Sequence, residues 1–378
     1  MERSIGRRRY LGAFAGVVAA TAGCLGGDGE EDADPEPSPD SFSSYVLVED
    51  PPDEVYVPTH REGMYHLETV HAGPYAVSPM LTIPHPFWLV TGEEVERVDP
   101  PEDGVHLMVT VWDAETRTIL PVDVGAQLRI LQDGEVVDER IPWPMISQAM
   151  GFHFGDNVEL PEDGTYEVEL DLNPIGIPTT GSFEGRFENH ETARFEFTYD
   201  RGLREEVIQG IEFFEEDRWG EPGAVEPMDH AHHEHAGGEE HAHHEMPFPA
   251  LAPAAGYPGH DLGEPASGDV RFVVRYLESS PLADDEGYLL VSARTPYNRI
   301  PLPEMALSVD GDATTNLVGT LDDELGYHYG AELDLDGGED LELVVDGPPQ
   351  VSRHPGYERA FLDVPDVTID VPSDLTDS

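Results

Sequence analysis

Short runs of alternating apolar and polar residues, each bounded by turn residues, restrict this chain to a β-rich fold. Residues 105–112, 165–172 and 194–199 alternate in this way, and a period of two is typical of strands with one buried face. Glycine (38 residues) and proline (34 residues) recur between the runs, which favours turns over long helices. The pattern predicts an all-β protein that begins with an antiparallel β-sandwich over residues 45–200.

One segment breaks the alternation. Leu203, Val207, Ile211 and Phe214 recur at helical spacing among charged residues. This spacing predicts one amphipathic helix in the segment 201–219. The following residues, 220–265, contain a low-complexity stretch and are expected to link two domains.

The second half of the chain repeats the order of the first. Alternating segments resume over residues 266–373, where 288–293 matches 106–111 and 326–330 matches 151–155. We interpret this as an internal duplication, which predicts a second, shorter β-sandwich. Chance similarity between acidic strands is the alternative.

The N-terminus has the features of an export signal. Arginines at positions 7–9 precede an uncharged apolar run that ends in small residues before Cys24. The arrangement is similar to twin-arginine signals that carry a lipoprotein cleavage box. A transmembrane anchor is less favoured, because the run over residues 11–23 is shorter than the roughly 17 residues that a spanning helix needs. We expect residues 1–24 to be the signal and Cys24 to be lipidated.

Residues 25–44 are rich in Gly, Asp, Glu, Pro and Ser, which is typical of a flexible acidic tether. With the lipid on Cys24, this segment predicts a protein anchored at the extracytoplasmic face of the cell membrane. Cys24 is the single cysteine of the chain. No thiolate therefore remains for a blue-copper centre in either sandwich.

The charge of the chain excludes another class of partner. The sequence has 78 acidic and 20 basic residues, a formal net charge of -58, and every basic residue is arginine. Such a charge excludes nucleic acid as a partner. It is also typical of a halophilic protein, because molar salt screens the self-repulsion of the surface.

Candidate metal ligands concentrate in the first half. Met145 and His153 lie close together in sequence, with His85 and His106 upstream and His190 downstream. Imidazole and thioether groups together suit a transition metal better than calcium or magnesium. Taken singly, such residues are also common in cores, histidine as a hydrogen-bonded group and methionine as filler.

Residues 144–166, from Pro-Met-Ile-Ser-Gln-Ala-Met-Gly-Phe-His-Phe-Gly-Asp-Asn to Gly-Thr-Tyr, resemble a known pattern when taken with the later His190. They are similar to the core of the periplasmic ferrous-iron transport protein family, the iron- and copper-binding partners of high-affinity iron permeases. The resemblance covers about 100 of the 378 residues. The family's first methionine and the proline before its histidine are replaced here by Trp143 and Phe152.

The resemblance implies an immunoglobulin-like β-sandwich, and therefore two such sandwiches in tandem if the repeat is real. It implies a metal site, for iron or copper, with Met145 as the thioether ligand and His153 and His190 as imidazole ligands. An upstream histidine is also implied, and we favour His85 for its distance from the strand at 106–111.

Two further residues compete with His85 for the upstream role. His66 and Glu68 match the family's His-Leu-Glu strand by letters. In the second half, His328 and His354 are expected to be structural or part of a degenerate site, because Thr320 stands at the position that corresponds to Met145.

The linker contains a histidine-rich segment of alternating imidazole and carboxylate residues, which is expected to bind metal with little selectivity. Its histidines are His230, His232, His233, His235, His241, His243 and His244.

These features predict an exported, membrane-anchored metal-binding lipoprotein that handles ferrous iron or copper for an iron-uptake system. Motifs for hydrolases and nucleotide-binding enzymes do not occur, and no enzymatic activity is expected. The resemblance implies an iron permease as partner and a homodimer. The alternative is a surface adhesion or structural β-sandwich module with an incidental, metal-sequestering histidine-rich loop.

Overall fold

The computed structural model describes residues 46–227, 246–247, 250–278, 287–311, 313–335, 337–373 and 375. These residues belong to one compact unit, Pro39–Ser378. The predicted signal, Cys24, the tether over 25–44 and all seven histidines of the histidine-rich segment lie outside the described residues. Within the described ranges, no helix has the length and apolarity that crossing a membrane requires.

The described chain is built almost entirely of strands, with a single α-helix, α1 (Arg201–Gln209), and short 3-10 turns. The strands are β1 (His60–Arg61), β2 (Tyr65–His66), β3 (Val70–Ala72), β4 (Tyr75–Thr82), β5 (Phe87–Thr91), β6 (Glu94–Val98), β7 (Val105–Asp113), β8 (Gln127–Gln132), β9 (Glu135–Arg140), β10 (Trp143–Ser147), β11 (Gly151–Val158), β12 (Gly164–Leu172), β13 (Thr179–Thr180), β14 (Glu191–Tyr199), β15 (Glu212–Phe213), β16 (His260–Gly263), β17 (Ala266–Ser267), β18 (Val270–Leu277), β19 (Tyr288–Arg294), β20 (Ala306–Asp310), β21 (Thr314–Asp322), β22 (Gly326–Glu332), β23 (Asp340–Gly347), β24 (Ser352–Arg353) and β25 (Val367–Asp370). This composition confirms the predicted all-β sandwich fold with one helix.

The first half forms two main sheets, besides the two-stranded sheet β1-β15. One has the strand order β2-β4-β7-β11-β10-β24-β5-β6, with β3 paired to β4, and the other has the order β14-β12-β8-β9. On β7, Leu107 and Val109 enter the main hydrophobic core, whereas His106 and Met108 do not. Because side chains alternate along a strand, His106 and Met108 share the opposite face of the sheet. Both of these side chains are fully buried.

The second half repeats this arrangement. Its sheet begins with the order β16-β18-β19-β22-β21 and continues through β20, β23 and β25. Met145 lies opposite His153 between β10 and β11, and Thr320 lies opposite His328 between β21 and β22. The strand order β4-β7-β11-β10 of the first half thus recurs as β18-β19-β22-β21, with the same register at the histidine. This agrees with the repeat read from the sequence.

The two halves also share strands. Strand β24, from the second half, lies parallel to β10 and antiparallel to β5 of the first. Conversely, β13 from the first half pairs in parallel with β21 of the second half. The segments 45–200 and 266–373 are therefore joined by backbone hydrogen bonds as well as by the chain between them.

The helix is shorter than the predicted segment 201–219. The side chain of Asp200 accepts a hydrogen bond from the backbone of Leu203 and caps the first turn, and Gly210 ends the helix. Ile211 and Phe214 consequently lie beyond it, and β15 pairs with β1 instead. Glycine has a low helix propensity, and Gly210 packs against Gly63 so closely that a side chain on Gly63 would meet the helix backbone.

Candidate metal site

Four buried histidines meet on the face of the sheet that carries His106. His85 lies between β4 and β5, His106 on β7, His153 on β11, and His354 directly after β24. His354 has its Nδ1 3.1 Å from His85 Nε2 and its Nε2 3.1 Å from His153 Nε2. The rings of His85 and His106 are 4.1 Å apart between centroids. We call these four residues the histidine cluster.

Hydrogen bonds from outside the cluster fix the orientation of three of its rings. The Nδ1 atoms of His85 and His153 each lie 3.1 Å from a backbone carbonyl, of Ile83 and Gly151 respectively. A carbonyl oxygen only accepts, so each Nδ1 carries the proton and donates. The Nε2 atoms of both rings therefore present lone pairs to His354.

Asn157 orients the third ring. Its side-chain nitrogen donates to the carbonyl of His85 at 2.9 Å, so its Oδ1 is the acceptor for the Nδ1 of His106 at 3.0 Å. The Nε2 of His106 is thus also a lone-pair atom. It is buried and has no hydrogen-bond partner within the described parts of the chain. Outer hydrogen bonds that fix a histidine in this way are typical of metal sites.

His354 cannot satisfy both of its neighbours as a neutral ring. It has one N–H, yet each of its nitrogens faces an Nε2 lone pair. Burial, with the added effect of the other histidines, holds the pKa of His354 well below its usual value, which disfavours a second proton. A metal ion held by His85, His106 and the Nδ1 of His354 would resolve the conflict, because the single N–H of His354 could then stay on Nε2 and donate to His153.

Gly155 leaves space for a thioether beside the histidines. A methyl group at this position would lie 3.0 Å from His106 Nε2 and 3.1 Å from Met145 Sδ. The sulfur and the unpartnered nitrogen therefore approach one point on the sheet. Met145 is fully buried, and its sulfur needs no hydrogen bond there.

Burial keeps the cluster in the neutral state that binds metal. It lowers the pKa of His85, lowers that of His106 well below its usual range and lowers that of His153 to about 4. The carboxylate of Glu62 opposes this shift for His85 and His153. At neutral pH these imidazoles are therefore unprotonated and available as ligands.

The structure brings together some of the predicted ligands and separates others. His85, Met145 and His153 lie in or beside the cluster, but His190 is half exposed in the loop immediately before β14, with its Nε2 3.6 Å from Asp171. His66 lies on β2, opposite Met80. Glu68, after β2, is exposed.

The largest difference from expectation is His354, which was expected to be structural or, with His328, part of a degenerate second site. It lies at the centre of the cluster because β24 crosses into the first sheet. The ligand atoms of His85, His106 and His354 fall within 4.8 Å of one another. In the sequence, His354 stood out only as part of the Arg-His pair at 353–354. No sequence pattern indicated that β24 joins the first sheet.

The corresponding position in the second half is closed by a tyrosine. The Nδ1 of His328 lies 3.1 Å from the carbonyl of Gly326, as His153 does with Gly151. Its Nε2 lies 3.2 Å from the hydroxyl of Tyr288, the residue that corresponds to His106. A hydroxyl can donate to this lone pair, so His328 is satisfied within the protein.

The fold and site together define an all-β sandwich protein with a buried histidine cluster that could hold a metal ion. Residues 255–370 match a family described as "Domain of unknown function (DUF7350)". No curated protein matches the chain.

Solved structures of FetP from uropathogenic Escherichia coli strain F11 match weakly. A copper-bound variant and the as-isolated protein are each 19% identical to this chain, with a TM-score of 0.28. The matches cover 36% of this chain and 97% and 95% of FetP. A TM-score this low does not support transfer of function, so the assignment rests on the side chains.

Proposed function

We propose that the protein binds one transition-metal ion at the histidine cluster, with copper or ferrous iron as its cargo. The observation that supports this most directly is the hydrogen bonding of His354. Three lone pairs, on His85, His106 and His153, point into a buried space where His354 supplies a single N–H. A cation held by His85, His106 and the Nδ1 of His354 would accept the lone pairs of the first two rings, and the single N–H of His354, on Nε2, would then donate to His153.

The donor set favours copper over the other candidates. Imidazole suits copper, zinc and iron, and the thioether of Met145 adds a soft ligand that favours copper. Magnesium and calcium prefer oxygen ligands, which the cluster itself does not supply. Ferrous iron is the second candidate.

We further propose that the ion is carried outside the cytoplasm. The arginines before the apolar run and the lipoprotein box at Cys24 support export and lipid anchoring at the extracytoplasmic face. The likeness of residues 144–166 to the ferrous-iron transport family supports delivery to an iron permease, with no bond-making chemistry in this protein. A homodimer remains a prediction from the same resemblance.

The test is metal titration of the full chain in molar salt, with serine in place of the seven histidines at 230–244 so that this segment does not bind. We expect one Cu(II) per protein, and nitrogen hyperfine structure in its electron paramagnetic resonance spectrum. His354→Gln should weaken binding by at least about 100-fold, since removal of a ligand exceeds the effect of losing an outer hydrogen bond. Anaerobic Fe(II) is titrated in parallel.

The matched control is His190→Gln, which removes a half-exposed imidazole away from the cluster and should leave the affinity unchanged. Absence of one-to-one binding by either metal would contradict the proposal. The histidine-rich segment would then be a sink on an adhesion or structural module.

A further inference from the structure

Methionine is unevenly distributed in this protein. The main hydrophobic core contains only Met305 among the described residues. A separate, smaller group of packed side chains contains five of the chain's nine methionines. We call these five the methionine cluster: Met64, Met80, Met108, Met150 and Met246.

The methionine cluster adjoins the histidine cluster on the same sheet. Met80 and Met108 lie directly opposite each other on β4 and β7, and side chains in such pairs are neighbours. Met108 is two residues from His106 and opposite Gly155. A methyl group at Gly155 would lie 3.3 Å from Met108 Cγ and 3.1 Å from Met145 Sδ, so the two groups of residues are contiguous.

Packing alone does not explain this choice of residue. Leucine fills a core with better-defined rotamers than methionine, and the main core is built from Leu, Val, Phe and Tyr. A thioether differs from leucine in being a polarisable, neutral ligand. Grouped thioethers in an apolar environment select soft monovalent ions, Cu(I) above all.

We propose that the methionine cluster is a second metal site, which binds Cu(I) beside the histidine cluster. The apolar side chains that pack with the five methionines are Ala76, Trp112, Ile119 and Ala149. His66, opposite Met80 on the neighbouring strand, adds an imidazole at the edge of this thioether group. Met64 is half-buried and opens the group towards solvent, whereas Met80, Met108 and Met150 are almost fully buried. The chemistry of this site differs from that of the histidine cluster, so the two sites bind ions independently.

The experiment uses the full chain labelled with carbon-13 at the methionine methyl groups and titrated with Ag(I), a redox-stable probe for Cu(I). Each methyl signal is assigned from the corresponding leucine variant. Thioether binding shifts the adjacent methyl signal, whereas ions held by imidazoles at 230–244 leave it in place. We expect the five cluster signals to shift together and Met305 to stay unchanged.

A combined variant, Met64→Leu, Met150→Leu and Met246→Leu, should lower Ag(I) affinity at the cluster by at least about tenfold while volume is preserved. Cu(II) binding by the histidine cluster should not change. Met305→Leu is the matched control from the main core. If only Met145 shifts, or if the triple variant retains the affinity of the parent, the proposal is wrong.

Failure of this proposal can be told apart from failure of the proposed function. In the His354→Gln variant, loss of Cu(II) binding with retained Ag(I) shifts at Met80 and Met108 supports two separate sites. Loss of the Ag(I) shifts in the same variant would show that the methionines have no site of their own.

Discussion

At Gly155, the lack of a side chain allows His106 Nε2 and Met145 Sδ to approach the same point. The backbone there does not need glycine, because its φ lies outside the left-handed region. Gly155→Ala should therefore preserve the fold but place a methyl group 3.0 Å from the nitrogen and 3.1 Å from the sulfur. We expect copper affinity to fall by at least about tenfold, as for disruption of an outer contact, measured by competition with a chelator.

Gly176→Ala is the control, since a methyl group at that exposed position meets no atom within 4 Å. Equal copper affinities for the two variants would show that the space above Gly155 plays no part in binding.

His153 predicts a dependence of stability on pH in the metal-free protein. Burial lowers its pKa to about 4, whereas an unfolded histidine has a pKa of about 6.5. Its stabilising contribution is complete above the unfolded pKa and is lost as pH falls towards 4, because the unfolded chain takes up the proton first.

Between pH 7 and pH 5, the parent should lose about 2 kcal/mol more unfolding free energy than His153→Gln. Denaturant unfolding with a metal chelator present measures the difference. An equal loss of unfolding free energy in both proteins would show that groups other than His153 take up the proton.

At the scale of residues, the sequence identified those candidate ligands that lie near each other along the chain or within a recognisable motif. Met145 and His153 are eight positions apart and face each other across a hairpin, so their approach is a local property. His354 is about 200 residues from His153. Its position depends on a parallel pairing between β10 and β24, which leaves no periodic pattern in either segment.

At the scale of strands, the two halves share a strand order and a register at His153 and His328, but they differ in the side chains around these histidines. Tyr288 and Thr320 occupy the positions of His106 and Met145, and the Tyr288 hydroxyl closes the second arrangement onto His328. The double substitution Tyr288→His and Thr320→Met should therefore create an additional copper site. It should be on the order of 100-fold weaker than the histidine cluster, because the described residues of the second half place no further imidazole beside His328.

Isothermal titration in the background without the seven linker histidines reports this added site. Tyr288→Phe with Thr320→Met is the matched control, since it supplies the thioether without the imidazole. If the variant with Tyr288→His binds no more copper than the control with Tyr288→Phe, the two halves are not equivalent at these positions.

Strand positions followed from alternation, whereas the extent of the helix did not. The spacing of Leu203 and Val207 correctly indicated the buried side of α1. The same spacing continued through Ile211 and Phe214, but Gly210 ends the helix before both of them. Apolar spacing alone therefore does not show where a helix ends when apolar residues recur beyond its last turn.

For the whole molecule, the charge of -58 predicts stability that depends on salt. Screening shortens from about 10 Å at 0.1 M to about 3 Å at 1 M, which reduces repulsion among carboxylates. We expect the melting temperature to rise by several degrees between these concentrations of sodium chloride, as measured by calorimetry. If a neutral osmolyte of equal osmolality raises the melting temperature by the same amount, the cause is not electrostatic.

The strand exchange through β24 also sets the order of events during synthesis. A ribosome translates His85, His106 and His153 about 200 residues or more before it reaches His354. Strand β24 can pair with β10 only after both segments have emerged. A nascent or prematurely terminated polypeptide therefore lacks the central imidazole. A metal ion that requires His354 would therefore bind only to chains in which translation has passed residue 354.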